Sequence, residues 1–330
     1  MQRSFVHAGV DEAGLGPILG PLTLGYSVFR APCDASELWR ALAPAVTDDP
    51  LRDASAFVVA DSKLVFKRTP RCAKRLEATA LGFLALRDPA RRPHTTVARY
   101  LWETPAEIAL DAPTIARHPW YRDGSTPLPR HWSPETLELR VESLHRALRK
   151  AGVELLDLGL RAVPEAELNR SFQETDNKSR THWHASRPIF RRIWEHHAEQ
   201  GVELVVDRHG GRMHYGSILA RDFQDATVEL VDESPECSRY ALSERRGSRS
   251  MRVTFAEKAE RRSFAVALAS CLAKYARETA MDAFNAYFAE RQPGLVPTAG
   301  YTTDGRRWLE DARELVRRER IEATTLVRTR

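Results

Sequence analysis

The hydrophobic and polar positions of this chain predict helices and strands in turn. Apolar residues at helical spacing predict a helix over 134–150, which Gly152 ends, and a second helix is expected near 70–86. Residues 165–194 are expected to be mainly helical, with a break at Pro188 because proline removes a helical hydrogen bond. Short apolar or alternating runs, most of which predict strands, lie at 5–10, 22–29, 153–163, 201–207, 226–231, 239–243 and 251–255.

Two stretches carry basic residues whose role the pattern leaves open. Prolines break residues 88–133 repeatedly, and Trp120 and Tyr121 stand beside a basic residue there. Such aromatic side chains either stack on nucleic-acid bases or fasten a long loop to the protein surface. The second stretch, 212–256, contains the basic segment 245–249, which would either grip a phosphate backbone or form the solvated end of a hairpin.

The composition restricts the class of protein. The 330 residues are 42% hydrophobic and 29% charged, as in soluble globular proteins, and suffice for one large domain or two smaller ones. No apolar run approaches the ~18 residues of a membrane span, and the N-terminus lacks the basic and apolar segments of a secretion signal. The four cysteines are widely scattered, as expected for reduced thiols, so we expect a cytoplasmic location. The net charge of +5 is compatible with binding nucleic acid.

Candidate chemistry begins at the end of the first strand. Asp11 and Glu12 follow an apolar run, and successive strand residues point to opposite faces, so one carboxylate can enter a metal site while the other reaches it from the side. Gly14, Gly16 and Gly20 provide positions where the backbone can be approached closely or where φ is positive. Carboxylates beside open backbone amides suit a hard divalent cation and a phosphate ester. The alternative is a turn whose acidic side chains are merely solvated.

Two further segments carry side chains of matching chemistry. In Asp61-Ser62-Lys63, a hydroxyl and an ammonium group side by side can hold one phosphate oxygen, or Ser62 can cap a helix. Asp207 ends the apolar run that begins at Gly201. An acidic residue there is either a catalytic carboxylate or a common turn residue.

The segment Asp11-Glu-Ala-Gly-Leu-Gly-Pro17 closely resembles the N-terminal signature of type 2 ribonuclease H (ribonuclease HII), which is Asp-Glu-Ala-Gly-Arg-Gly-Pro, with Leu15 in place of the arginine. Four more segments resemble motifs of this family in the family's order. They are 61–63, 201–207, 258–278 and 299–303. In the last of these, Tyr301 matches the tyrosine that stacks on the deoxyribose at a junction between RNA and DNA. The order and combination of the five segments are more specific than any one of them.

A helix rich in small residues sets the position of the fourth carboxylate in this resemblance. An ungapped count back along that helix places Glu260 on the family's fourth catalytic aspartate and Arg262 on a lysine two residues later. Glu257 lies only three residues before Glu260 and is the alternative. The register of the count is set by Ser270, Ala273, Lys274 and Arg277.

The resemblance implies a ribonuclease-H-like α/β fold, a mixed β-sheet flanked by helices. We expect a single catalytic domain over 1–330, with insertions near 88–133 and 212–256 and a helical part near 302–320. The implied activity is hydrolysis of the RNA strand of RNA/DNA hybrids or of ribonucleotide-containing DNA, with two Mg²⁺ or Mn²⁺ ions, leaving 5′-phosphate and 3′-hydroxyl ends. The implied metal ligands and catalytic residues are Asp11, Glu12, Asp207 and Glu260, and the implied substrate-binding residues are Gly14, Leu15, Gly16, Ser62, Lys63 and Tyr301.

The departures from the family pattern leave two alternatives open. Leu15 removes the arginine of the turn that reads the junction, so the chain could be a nuclease of the same fold that acts on another structured nucleic acid. Glu260 has a longer side chain than aspartate, so the chain could instead be a non-catalytic nucleic-acid-binding relative. No motif implies a protein partner, and no membrane association is expected.

Overall fold

The computed structural model describes residues 4–51, 55–67, 69–87, 92–93, 95–122 and 124–329. Its main sheet has seven strands, and two small sheets have two strands each. The strands are β1 Phe5–Ala13, β2 Leu22–Ala31, β3 Val46–Thr47, β4 Phe57–Val58, β5 Thr95–Thr96, β6 Pro127–Leu128, β7 Glu154–Val163, β8 Val202–Asp207, β9 Ala226–Glu233, β10 Cys237–Glu244 and β11 Ser250–Ala256.

Helices cover both faces of the main sheet. In chain order they are α1 Leu38–Ala41, α2 Ser62–Val65, α3 Pro70–Ala85, α4 Val97–Trp102, α5 Ala112–Ala116, α6 Pro119–Arg122, α7 Pro134–Ala151, α8 Glu165–Thr175, α9 Lys178–His197, α10 Gly216–Asp222, α11 Phe264–Arg291, α12 Thr302–Asp311, α13 Arg313–Arg318 and α14 Ala323–Leu326. A short 3₁₀ helix, Ala259–Arg261, precedes α11. In the described part of the chain, none of these helices is both long enough and apolar enough to cross a membrane.

The main sheet is mixed, with the order β7-β2-β1-β8-β11-β10-β9. The central strand β1 runs antiparallel to β2 and parallel to β8, and β8 runs parallel to β11. Because parallel strands end at the same edge of a sheet, the carboxyl ends of β1, β8 and β11 meet there. The predicted fold class, a mixed sheet flanked by helices with acidic residues on its central strands, is confirmed.

Helix α11 packs directly on the centre of the sheet. The backbone of α11 comes so close that a Cβ atom at Gly9 would lie 2.2 Å from the nitrogen of Val266, and one at Gly25 would lie 2.1 Å from the oxygen of Ala269. Real Cβ atoms are not found this close to other atoms, so both strand positions require glycine. The small residues of α11 thus bring this helix near the end of β1. The opposite face of the sheet is covered by the apolar side chains of α9.

The predicted break at Pro188 is wrong. Pro188 lies inside α9, and the chain instead changes direction between α8 and α9, where Asp176 has a φ of 44° and the side chain of Asn177 accepts a hydrogen bond from the backbone of Arg180. A proline inside a helix is unfavourable, but the buried side chains of α9 stabilise the continuous helix by packing on the sheet. They include Trp183, Phe190, Ile193 and Trp194.

The interrupted segment 88–133 forms short elements that pack on α3, α7 and α11 in the described residues. Trp120 and Tyr121 are buried, so they fasten the segment to the domain and the alternative of base stacking is wrong for these two residues. The buried carboxylate of Glu77 accepts hydrogen bonds from the backbone nitrogens of Arg130 and His131. The segment 212–256 contains α10 and the strands β9, β10 and β11, of which β10 pairs antiparallel with both others.

Candidate active site at the carboxyl ends of the central strands

The carboxylates of Asp11 and Glu12 lie at the end of β1 and point to opposite faces of the sheet. Asp11 faces α11, where it interacts with the hydroxyl of Ser270. Glu12 faces α9, where its Oε2 atom lies 3.5 Å from Nε2 of His182. This alternation is what the strand geometry predicts. Asp207 ends the neighbouring parallel strand, one position beyond the pair Val10 and Val206.

Burial and mutual repulsion disfavour the charged forms of these carboxylates. Burial, reinforced by the charges of Asp207 and Glu260 and opposed by the hydroxyl of Ser270, raises the pKa of Asp11 to about 7. Burial and the charges of Asp11 and Asp207 raise the pKa of Glu12 well above its ordinary value. Burial also raises the pKa of Asp207, although backbone N–H groups partly stabilise its charge. The site therefore gathers carboxyl groups whose charged forms a bound cation would stabilise.

The 3₁₀ helix Ala259–Arg261 brings Glu260 to the same place. The backbone nitrogen of Ala259 lies 3.3 Å from Oδ1 of Asp207 and donates a hydrogen bond to it. Glu260 is nearly buried, and burial together with the charge of Asp207 raises its pKa. Glu257, the alternative, has a side chain that is 68% exposed and lies 3.4 Å from the guanidinium of Arg208. The structure thus brings Glu260, but not Glu257, to Asp11 and Asp207.

The Asp61-Ser62-Lys63 segment lies beside the carboxylates. Asp61, rather than Ser62, caps α2 by accepting a hydrogen bond from the backbone nitrogen of Lys63 at 2.9 Å. The hydroxyl of Ser62 is buried and accepts a hydrogen bond of 3.0 Å from Ser270. Lys63 is exposed, and its charge lowers the pKa values of Glu12, Asp207 and Glu260 against the larger effect of burial. Lys63 is therefore an exposed cation at the rim of the acidic cluster.

The glycine turn consists of residues 14–20, directly after β1. Gly14 and Gly20 each have a φ of 86°, in the left-handed region that favours glycine. Gly16 is exposed, and a side chain there would meet no other atom within 4 Å, so its backbone is open to a ligand. Leu15 is partly buried against the apolar cluster that includes α9.

Three buried charged residues hold this turn in place. The guanidinium of Arg277 donates hydrogen bonds to the carbonyl oxygens of Leu19 and Pro21 at 2.6 and 2.9 Å. Arg328 donates to the carbonyl oxygens of Gly14 and Gly20, and a carboxylate oxygen of Glu165 accepts a hydrogen bond of 2.6 Å from the nitrogen of Gly20. Sequence reasoning used Arg277 only to set a register and missed Arg328 and Glu165, since neither belongs to a motif.

The segment around Tyr301 is joined to the same turn. The carbonyl oxygen of Gly300 accepts hydrogen bonds from the backbone nitrogens of Ile18 and Leu19, at 2.8 and 3.2 Å. Tyr301 itself is 57% exposed, so its ring is available for stacking. The five segments of the resemblance therefore lie around one region, although 200 or more residues separate the first from the last in sequence.

The four carboxylates offer the oxygen ligands that a hard divalent cation prefers. Three of them, those of Asp11, Glu12 and Glu260, are buried or nearly buried. The cluster as it stands is more open than a metal site. Among the described residues, no three histidine, cysteine, aspartate or glutamate side chains lie close enough together to share one ion. The fit therefore rests on the oxygen donors and not on their spacing.

Comparison with known proteins returns similar folds at low identity. No protein-family model matches the chain, and no curated protein matches its sequence. The chain is similar to ribonuclease HII of Archaeoglobus fulgidus, solved in complex with PCNA, at 16% identity and a TM-score of 0.42, over 99% of this chain and 95% of that one. It is also similar to ribonuclease H2 of Pyrococcus horikoshii OT3, at 14% identity and a TM-score of 0.39, over 98% and 92% of the two chains. Bst-RNase HIII in complex with Mn²⁺ is 13% identical, with a TM-score of 0.40, over 99% and 67% of the two chains.

These structures are ribonucleases H of types 2 and 3, and the motifs of the sequence resemble those of type 2. Because the TM-scores are below 0.5, the assignment of site residues and activity depends on the residues of this chain. The PCNA complex is a property of the archaeal protein, whereas no motif of the present chain implies a protein partner.

Proposed function

We propose that this chain is a metal-dependent endonuclease that hydrolyses the RNA strand of RNA/DNA hybrids and leaves 5′-phosphate and 3′-hydroxyl ends. The observation that carries the proposal is the convergence of four carboxylates, from β1, β8 and the 3₁₀ helix, beside an open glycine turn. Asp11, Glu12, Asp207 and Glu260 would hold Mg²⁺ or Mn²⁺. When bound, these ions would neutralise charge at the phosphodiester and acidify the attacking water.

The chain's own residues would bind and orient the nucleic acid. Lys63 lies at the rim of the cluster, where its ammonium group can pair with a phosphate oxygen while the carboxylates hold the metal ions. The exposed backbone at Gly16 can contact a ribose 2′-hydroxyl, which is the group that distinguishes RNA from DNA. Tyr301, fixed beside the turn through Gly300, can stack on the adjacent sugar. RNA dependence would therefore arise next to the reacting phosphate.

One observation favours a second candidate, a nuclease of the same fold with another structured nucleic acid as substrate. At the position of the family's arginine the chain has Leu15, which packs on an apolar cluster and offers no hydrogen bond to a phosphate. A panel of three substrates, each with Mg²⁺ or Mn²⁺, separates the candidates. The panel contains a continuous RNA/DNA hybrid, a DNA duplex with one ribonucleotide, and a branched DNA.

We expect cleavage of the continuous hybrid to be at least as good as cleavage at one ribonucleotide, and no cleavage of the branched DNA. Leu15→Arg should shift the ratio toward the single ribonucleotide, since arginine adds charge-assisted hydrogen bonds. Preferred cleavage of the branched DNA would favour the second candidate. Binding of the hybrid without cleavage under any metal condition would favour a non-catalytic relative.

A further inference from the structure

A pair of buried histidines lies behind the carboxylates of the proposed active site. His182 on α9 and His209, two residues after Asp207, have ring centroids 3.8 Å apart with an angle of 31° between the rings. Each residue is only 1% exposed. Trp183, Phe190, Tyr215 and Phe255 surround the ring of His209.

The polar atoms of this pair are unsatisfied. Neither ring nitrogen of His182, nor Nδ1 of His209, has a hydrogen-bond partner within the part of the chain that the structure describes. Buried polar groups in proteins are nearly always hydrogen-bonded, so three unpaired nitrogens at one place require an explanation. An apolar side chain would avoid this penalty altogether if the position served packing only.

The carboxylate of Glu12 accounts for one of these nitrogens. Nε2 of His182 lies 3.5 Å from Oε2 of Glu12, a few tenths of an ångström beyond a normal hydrogen bond. Nδ1 of His182 also lacks a hydrogen-bond partner, so a small movement of the ring toward Glu12 would break no hydrogen bond. A neutral imidazole carries one N–H group. When the proton of His182 is on Nε2, this group faces the carboxylate of Glu12.

We propose that His182 is a positioning residue that holds one oxygen of Glu12, so that the other oxygen is presented to a metal ion bound with Asp11 and Asp207. The inference rests on the proposed function, because it requires Glu12 to be a metal ligand. Residues that hydrogen-bond to a metal ligand orient it, and their loss typically weakens metal affinity about 10- to 100-fold. The ring of His209, tilted by 31° at a centroid distance of 3.8 Å, packs against His182 and restricts its movement on that side.

The test measures Mn²⁺ binding to the protein without nucleic acid, by titration calorimetry, together with kcat and KM on the RNA/DNA hybrid. We expect His182→Ala to weaken Mn²⁺ binding at least ten-fold and to lower kcat at a fixed metal concentration, with KM for the hybrid within two-fold of the wild type. His182→Gln keeps an N–H donor and should recover Mn²⁺ affinity to within about three-fold. A matched control is His7→Gln, which changes a buried histidine at the opposite end of β1 whose Nε2 bonds to the backbone oxygen of Cys33.

A double-variant cycle separates positioning from a general loss of structure. In a Glu12→Gln background, the carboxylate that His182 positions is absent, so His182→Ala should cause no further loss of Mn²⁺ affinity. Additive losses, wild-type affinity in His182→Ala, or equal losses in the Ala and Gln variants would overturn the positioning role. If the wild-type protein neither binds Mn²⁺ nor cleaves the hybrid, both the proposed function and this inference are wrong. If the wild type does both and His182→Ala is unchanged, only the inference is wrong.

Discussion

The buried carboxylate of Asp11 suits metal binding but destabilises the folded protein when it is charged and no metal is bound. It is buried beside Asp207 and Glu260, which makes it a suitable metal ligand and an unfavourable charge in the metal-free protein. Its pKa of about 7 in the folded chain lies above the value of 3.8 that is ordinary for aspartate. Between these two pH values the unfolded chain has released the proton while the folded chain retains it. Raising the pH through this window therefore lowers the free energy of unfolding.

This relation predicts the effect of Asp11→Asn on stability. Without metal ions, the variant should unfold with about the same free energy as the wild type near pH 4. At pH 8 it should be more stable by roughly 1–3 kcal/mol, because the amide cannot ionise. Urea unfolding in the presence of a chelator at both pH values measures the difference. A variant that is no more stable than the wild type at pH 8 would show that Asp11 is not electrostatically strained.

Glu260 and Glu257 provide a matched pair of acidic residues three positions apart. Glu260 is nearly buried beside Asp207, whereas Glu257 is exposed and paired with Arg208. We expect Glu260→Gln to lower kcat at least 100-fold, since it removes a ligand charge, and Glu257→Gln to change it less than three-fold. Single-turnover cleavage of the hybrid at saturating metal measures both. The reverse ranking would move the fourth ligand to Glu257.

At the scale of elements, the strands and helices that carry the motifs are well predicted from the sequence. The expected helix over 134–150 is Pro134–Ala151, and the strand expected at 201–207 is Val202–Asp207. These elements have clear periodicity and local end signals, which act over a few residues. The break at Pro188 was wrong because packing of α9 on the sheet outweighs the local preference of proline, and such packing cannot be derived from a short window of sequence.

The contacts that hold the glycine turn were also beyond sequence reasoning. Arg328 lies more than 300 residues after Gly14, and no local pattern indicates that its guanidinium bonds to the carbonyl oxygens of Gly14 and Gly20. Burial and the neighbouring charge of Arg277 lower its pKa to about 9, so Arg328 remains charged at neutral pH. The end of the chain thereby stabilises the turn that is expected to contact the 2′-hydroxyl.

Replacing Arg328 should loosen the turn without affecting the metal ligands. We expect Arg328→Met, which keeps most of the aliphatic length, to raise KM for the hybrid about ten-fold and to leave Mn²⁺ affinity unchanged. Arg317→Met is a matched control, since Arg317 is exposed near the same end of the chain and pairs with Glu314. Steady-state kinetics and calorimetry on both variants provide the comparison. An unchanged KM in Arg328→Met would show that the turn keeps its shape without the hydrogen bonds from Arg328.

For the whole molecule, the fold class was predictable because five short segments resemble motifs of one family in the same order. The sequence could also place Asp11, Glu12, Asp207 and Glu260 as candidates, and the structure brings them to one edge of the sheet. It could not predict that His182 lies behind Glu12, since that contact depends on how α9 crosses the sheet. The single-domain organisation, the positions of the two insertions and the specificity remain predictions.

Metal-dependent cleavage of the RNA strand is tested most directly by incubating the purified protein with an end-labelled RNA/DNA hybrid, with and without Mg²⁺ or Mn²⁺. We expect cuts in the RNA strand only, strict dependence on the added ion, and products with 5′-phosphate and 3′-hydroxyl ends. Asp11→Asn should cleave at least 100-fold more slowly while it binds the hybrid nearly as well, because Lys63 and the glycine turn are unchanged. Cleavage without a divalent ion, or a near wild-type rate in Asp11→Asn, would contradict the account.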